Sequence, residues 1–597
     1  MVIKKLNQMK RLYNKLILGA LTGITLSAGF TACTNDHFDI NQNVQSKVSL
    51  WETINSQENL TEFANILKQV KYSKSEGTTT VQTYADLFSN DQTFTVWAPA
   101  NGTFNYEYYA GLLEDGTVES AYKVEKELIR NNMARYSHVL SGTGSINLEM
   151  FNSKTAVFDK ELGKIKDQII TQANIGANNG VLHIIDGAIP YQPNIYEYLA
   201  SREDLDSINT FLKHYDKNEF DEEASTQGPT VNGQITWVDS VTFKNNTYLN
   251  GIQAFINRED SSYAMIVPTN EAWKKALEKT TNYYQYRDEY IQTILTVDDQ
   301  GKETKTQYNT VYTPEELDSI KNFMSKKAIT DNLVFNAKYQ YGRSFEDFNV
   351  AGACDSLTST NATTFYNPES AELFDGATPE YLSNGAVYVV DNFNFKAGNS
   401  WAIEKEIEAE TPFNVETATK CTLVRTPMNK HFIIEDIDGA VLVDTTIQAT
   451  YAKTLQSSSS ANPDITFKLM NTLSCKYDIY LLVAYNDEAN KVNKFRAQIS
   501  YHTMDKATVK TETLYVPEGT AGSDRFFENR APFIDENGNY NYIDSVLIAK
   551  DFSFPVAYLG VENAYATLRI QSNVGSGETD TYSREMWIDK IVLKAKE

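Results

Sequence analysis

Between residues 50 and 70 apolar side chains fall at 50, 54, 60, 63, 66, 67 and 70. The later part of this run has the period of an amphipathic helix. "NIYEYLASREDLDSINTFLKHY" (194–215) repeats the pattern. After each helical stretch comes a strand that ends in a corner, "TFTVWAPANGTF" (93–104) and "YAMIVPTNEAW" (263–273). Both corners run from an apolar strand into Pro, a small residue, Asn and an aromatic. The residue before Pro is held extended, which delays the next helix. Asn101 and Asn270 then precede helical stretches and are expected to cap them. Phe104 and Trp273 are expected to face the core, and Trp97, inside its strand, to be buried.

A second pair of segments keeps the same order. "NNGVLHIIDGAIP" (178–190) is echoed by "SNGAVYVVDNFNF" (383–395), each an Asn-Gly turn signal before a β-branched strand. Pro99 and Gly180 are 81 residues apart, Pro268 and Gly385 are 117, so the second copy carries about 36 extra residues, placed in "TNYYQYRDEYIQTILTVDDQGKETKTQYNTVYTPEELDS". Two ordered motifs that recur imply duplicated domains. Beyond residue 430 the texture changes to short alternating runs, among them "YDIYLLVAY", "FRAQISYHT", "ATLRIQSNV" and "EMWIDKIVLKA". Turns such as "DIDG" and "DENGN" separate them, the pattern of a β-sandwich or barrel.

These corners and Asn-Gly strands resemble the two signatures of fasciclin-type domains. "RYSHVLSG" supplies the intervening His138 in copy one, and Asn336 stands in that place in copy two. His138 is expected to be structural. The resemblance covers roughly residues 48–396. It implies an α+β chain: two tandem fasciclin-type domains, each a β-sandwich wedge with packed helices, then an all-β jelly-roll-like sandwich. "NTLSCKYDIYLLVAY" and "REMWIDKIVLKA" resemble jelly-roll modules of carbohydrate-binding type at the level of fold. The expected domains are 1–32 signal peptide, 33–47 tether, 48–192 fasciclin-type domain 1, 193–398 fasciclin-type domain 2 with insertion, and 399–597 β-sandwich.

The N-terminus changes the picture of where the chain works. "KKLNQMKR" leads to the apolar run "LILGALTGITLSAGF" and then "FTAC". This resembles a bacterial lipoprotein signal, with Cys33 as the lipidated residue. Asp36 and Asp39 resemble the acidic tag of outer-leaflet lipoproteins in glycan-degrading gut bacteria. Outer-membrane anchoring at the cell surface is therefore expected, with an outer-membrane porin and a lid lipoprotein of a starch-utilisation-type importer as possible partners. Cys354, Cys421 and Cys475 form no metal or framework pattern, though Cys421 and Cys475 are candidates for one disulfide.

The net charge of −24 argues against nucleic acid as a partner. The six histidines form no HExxH, and there is no GxSxG, P-loop or GxGxxG. No catalytic residue, cofactor or metal is assigned, so the chain reads as a non-enzyme. "DENGNYNYID" places Asp535, Asn537, Asn539, Asn541 and Asp544 at calcium-like spacing, but a polar hairpin is the expectation. Tyrosine clusters are candidate sugar-stacking surfaces: Tyr106, Tyr108 and Tyr109, and Tyr283, Tyr284 and Tyr286 in the insertion. The Asp-Ser-apolar tripeptides at Ser207, Ser240, Ser319, Ser356 and Ser545 resemble O-glycosylation acceptors of exported proteins, with Asp444-Thr445-Thr446 a looser match. The leading expectation is non-catalytic glycan capture at the cell surface. Protein–protein adhesion without a sugar site is the alternative, and an unrecognised glycan hydrolase the second.

Overall fold

The repeated corner lies beside the repeated Asn-Gly strand. Phe94–Pro99 runs parallel to Gly180–Ile185, with Phe94 opposite Gly180 and Pro99 opposite Ile185. Tyr263–Pro268 runs parallel to Gly385–Val390 in the same register, Tyr263 opposite Gly385 and Pro268 opposite Val390. A short antiparallel strand flanks each corner strand on its other side, Met133–Arg135 in copy one and Val334–Asn336 in copy two. Central parallel strands are covered on both faces, so every residue of Phe94–Pro99, Gly180–Ile185 and Tyr263–Pro268 is buried. The sheets then extend differently, to seven strands in copy one and four in copy two. The structure, a computed structural model, describes residues 47–596 apart from 76–77, 232–233, 298–302, 338–344, 354, 506–508 and 518–524. Cys33, Asp36, Asp39, the signal stretch and Cys354 lie outside the described residues.

The Asn-Gly pair does more than turn the chain. A Cβ on Gly180 would stand 2.1 Å from the carbonyl oxygen of Phe94, and one on Gly385 1.9 Å from that of Tyr263, so only glycine lets the strands start side by side. The asparagine is a buried clamp. Asn179 Oδ1 accepts from the Leu50 N–H at 2.7 Å, and its Nδ2 donates to the carbonyls of Phe88 and Asn90. Asn384 accepts from the Ile195 N–H at 2.9 Å and donates to the carbonyls of Ile256 and Arg258. Each asparagine thus holds the first N–H of its repeat's leading helix, Leu50–Asn55 or Ile195–Ala200.

Asn101 and Asn270 are a correction. Neither caps the helix that follows it. Asn101 Oδ1 accepts from the Glu62 N–H at 3.0 Å, inside the earlier helix Thr61–Gln69. Asn270 likewise accepts from the Ser207 N–H at 2.9 Å in the helix Asp206–Lys213. The following helices are capped by Asn105 and Thr269 instead. The corner therefore ties a strand end back to the preceding helix, a long-range link that sequence neighbours cannot reveal. The leading helices match their pattern, with Leu50, Ile54, Leu60, Phe63, Ile66, Leu67 and Val70 all buried. Trp273 is buried as expected, and Phe104 is partly buried against the first core.

Trp97 is fully buried and stacks on His183, ring centroids 5.7 Å apart at 13°. His183 Nε2 donates to the His138 carbonyl oxygen at 2.9 Å, and the His138 N–H donates to Thr95 Oγ1 at 2.8 Å. Burial lowers the His183 pKa to about 4, keeping the imidazole neutral. His138 thus shapes the turn through its backbone, a structural part.

The chain packs as two units, one comprising residues up to Tyr191 with Glu219–Phe243, the other Gln192–Asn218 with Lys244–Glu597. The second unit holds the second corner, its insertion and the C-terminal β-sandwich, and the fold class is α+β. One sandwich sheet orders 421–435, 441–456, 587–596, 476–484 and 543–553, with 405–408 beside 587–596 on the same edge as 441–456. The other orders 415–419, 464–469, 566–572, 492–502 and 509–513, with 527–528 and 582–583 beside 492–502. Strict alternation sends Ile465, Phe467, Leu568, Ile570, Ala497 and Ile499 inward to meet Ile479, Leu481, Ile588 and Ile591. Cys421 and Cys475 are both free thiols.

Candidate binding surface

The insertion tyrosines are a correction. Tyr283, Tyr284 and Tyr286 are 8%, 2% and 8% exposed and belong to the sandwich core, so their faces are closed to a sugar ring. They lie between the helix ending at Thr281 and the strand Glu289–Val297, not on an open helix face. The segment is laced to the sandwich. Gln285 N–H donates to Ser474 Oγ, Ala557 N–H to the Gln285 carbonyl, and the Tyr286 hydroxyl to the Leu559 carbonyl, at 2.7–2.8 Å. Tyr290, fully buried, donates to the Ala557 carbonyl, and the Ile291 N–H donates to His502 Nε2 at 3.0 Å. Burial lowers the His502 pKa to about 4, with Arg287 adding to the effect. The insertion joins the second corner domain to the sandwich.

The other tyrosines are more open. Tyr106 and Tyr109 pack partly against the first core, while Tyr108 is 41% exposed beneath Lys123, whose Nζ lies 5.7 Å from the ring centroid. Ser319 and Ser545 are exposed, and Ser207 and Ser356 half-buried. The Ser240 side chain lies outside the described residues. The calcium-like segment folds on itself: Asp535 Oδ1 accepts from the Asn537 and Asn539 N–H groups, and Asp544 is held by Arg530 at 2.7 Å. Among the described residues no three His, Cys, Asp or Glu side chains are grouped to hold a metal ion.

The sandwich has two outward faces of opposite character. On the six-stranded sheet Tyr451 stacks on Trp587 at 4.9 Å, and Phe432 meets Tyr540 and Tyr542. Lys430 and Lys453 cover these rings, and Trp587 is only 2% exposed. This aromatic cluster fastens the long ribbon of 421–435 and 441–456 and leaves its floor rings shut.

The seven-stranded sheet is open and polar. Cross-strand register aligns its outward side chains in rungs. Thr419, Asp464, Gln571 and Arg496 form one, Thr417, Thr466, Arg569, Gln498 and Thr513 the next, and Lys468, Thr567, Ser500 and Thr511 the third. The rungs are bound to one another. Arg569 makes a two-pronged pair with Asp464 at 2.8 and 2.5 Å and also donates to Gln498 at 3.1 Å. Gln571 donates to Asp464, and Gln498 to Thr513. Aromatic rings stand at two diagonal corners. Lys468 Nζ lies 5.3 Å from Phe413 and 5.5 Å from Tyr565, and Phe413 is 66% exposed. At the other corner Lys494, Arg496 and Arg525 gather around Phe526 at 4.8, 4.9 and 5.4 Å. An array of fixed donors and acceptors between two ring corners can receive the hydroxyl edges of a chain of sugars and cover their C–H faces. Sequence reading passed over this face because its rings are single residues in separate loops, not a tyrosine run.

No family model matches the chain, and no curated protein sequence matches it. Solved structures similar to it include a FAS1 domain pair from the insect cell adhesion molecule Fasciclin I, 12% identical, covering 51% of this chain and 90% of that one at a TM-score of 0.18. The xylan-binding domain of Paenibacillus barcinonensis Xyn10C is 11% identical and covers 32% of this chain and 99% of that one at 0.16. A Clostridium thermocellum xylanase 10B structure containing CBM22-1 and GH10 modules is 12% identical, covering 32% of this chain and 28% of that one at 0.17. At TM-scores of this size the likeness carries no argument about function.

Proposed function

We propose that this chain is a non-catalytic surface protein that captures polysaccharide on the outward face of its seven-stranded sheet. The observation that carries this reading is the open array of polar rungs bounded by Phe413 and Phe526, on a sandwich whose other aromatic cluster is closed. The two corner domains serve as the frame, with the second joined to the sandwich through Tyr283–Tyr290. The stretch ending in Cys33 supports lipid anchoring, and Asp36 and Asp39 support display on the outer membrane beside an import porin and its lid lipoprotein. Several acyl chains at about 0.8 kcal/mol per buried methylene hold such a protein firmly. Ser319 and Ser545, exposed after aspartate, are the acceptors best placed for O-glycosylation.

The test is affinity electrophoresis and calorimetry of the full-length protein in mild detergent against soluble plant and host polysaccharides. Binding lost in Phe413→Ala and Gln498→Ala variants supports the reading. Binding insensitive to both but lost in Tyr108→Ala moves the site to the first corner domain. No binding to any polysaccharide leaves the adhesion alternative.

A further inference from the structure

The sheet face is unusual in its charge as well as its shape. The chain carries −24 overall, yet Lys468, Lys494, Arg496, Arg525 and Arg569 gather on and around this one surface. Two of them are neutralised, Arg569 by Asp464 at 2.5 Å and Lys494 by Glu578 at 2.6 Å. Glu416 and Glu528 accept from the hydroxyls of Tyr565 and Tyr582 at 2.5 and 2.8 Å and keep their charge, so these five cations and the four carboxylates Asp464, Glu578, Glu416 and Glu528 leave the surface one positive charge in excess on a strongly acidic chain. Among the described residues Lys468, Arg496 and Arg525 have no carboxylate partner; the Arg496 Nε is buried, so its terminal nitrogens are the ones left to meet a ligand. Each of the three cations is instead laid on a ring, which holds it in place without cancelling its charge.

From these observations we propose that the polysaccharide this face captures is a polyuronate, a polymer whose sugar rings carry carboxylates. This rests on the glycan-capture reading of the same surface. Lys468 pairs across Thr567 to Ser500, and Arg496 lies four residues along that strand. Two strand spacings and four residues of rise put the Cα atoms of the two residues roughly 16 Å apart. That span fits carboxylates on separate rings of one oligosaccharide and not the single carboxylate of a monosaccharide. Arg496 and Arg525 present planar forks suited to two-pronged carboxylate pairing, and Lys468 a point charge at the far corner. The paired Asp464–Arg569 centre between them supplies hydrogen bonds to hydroxyls.

The experiment compares four polymers on the full-length protein in mild detergent, by affinity electrophoresis and calorimetry: polygalacturonate, fully methyl-esterified polygalacturonate, unsubstituted xylan and dextran sulfate. Polygalacturonate is expected to bind, at least tenfold more tightly than its methyl ester, and to weaken as salt rises. Lys468→Gln and Arg496→Gln, both at outward positions, are expected to lose at least fivefold each for polygalacturonate with an unchanged melting curve, and Arg496→Lys to retain part of the affinity. Equal binding of the acid and its methyl ester, or binding of xylan alone, overturns the polyuronate proposal and leaves glycan capture standing. Binding of dextran sulfate without polygalacturonate also overturns it. No binding of any of the four overturns the polyuronate proposal and leaves glycan capture to the wider polysaccharide panel.

Discussion

Truncating Asn384 to Ala removes one donor–acceptor clamp, buried at the Ile195 N–H and part-buried at the Arg258 carbonyl. The Ile195 N–H loses its acceptor and the Arg258 carbonyl loses its donor, whereas the Ile256 carbonyl still accepts from the Tyr196 N–H at 3.3 Å. The buried Ile195 N–H left without an acceptor sets a local cost of about 1–3 kcal/mol, to which the part-buried Arg258 carbonyl adds less because water can reach it. Copy one offers an internal replicate. Asn179→Ala strands the Leu50 N–H and the Asn90 carbonyl, while the Phe88 carbonyl keeps the Trp51 N–H at 3.1 Å. Because the chain holds two units, one global unfolding curve does not report either site cleanly. Hydrogen exchange read by mass spectrometry does. A loss of about 2 kcal/mol speeds exchange about thirtyfold. Asn384→Ala is expected to do this in peptides covering 195–200 and 255–259 and not in 50–55. Asn179→Ala is expected to do the converse. Unchanged exchange in both variants would refute the clamp and return Asn-Gly to a plain turn.

Other consequences follow from burial. Gly385→Ala drives a Cβ into the Tyr263 carbonyl, and a cost above about 3 kcal/mol is expected, read as loss of soluble expression or a much lower melting temperature. His183 and His502 each have a folded pKa near 4 against an ordinary 6.5. Stability is therefore full above pH 6.5 and falls as pH drops toward 4, by up to about 3 kcal/mol per histidine. Melting temperatures between pH 7 and 4 check this, and His502→Gln is expected to flatten the profile. Asp589 behaves oppositely: burial, aided by Glu408, Glu410 and Glu406, raises its pKa to about 6. Its charged form destabilises the fold above pH 6 and the penalty fades as pH falls, so Asp589→Asn is expected to stabilise at pH 7.5 by up to about 3 kcal/mol and to have little effect at pH 4.

Local patterns were legible where the physics is local. The apolar positions of the leading helices, the buried Trp97 strand and the alternation of the sandwich strands all follow from periodicity. Long-range roles were not. Asn101 and Asn270 sit in front of helices and look like their caps, but each reaches about 40 to 60 residues back along the chain. The run Tyr283–Tyr286 looks like an exposed aromatic surface, and only the sandwich that covers it explains its composition. The candidate face itself joins residues from 413 to 582 through strand register, which no window of sequence contains.

The most direct measurement is the mobility of the wild type and a Phe413→Ala, Gln498→Ala, Arg496→Gln triple variant in gels containing polygalacturonate or xylan. Retardation of the wild type in at least one gel, lost in a triple variant with an unchanged melting curve, is the predicted result. Equal retardation of both proteins, or free migration of both, would contradict capture on the seven-stranded face.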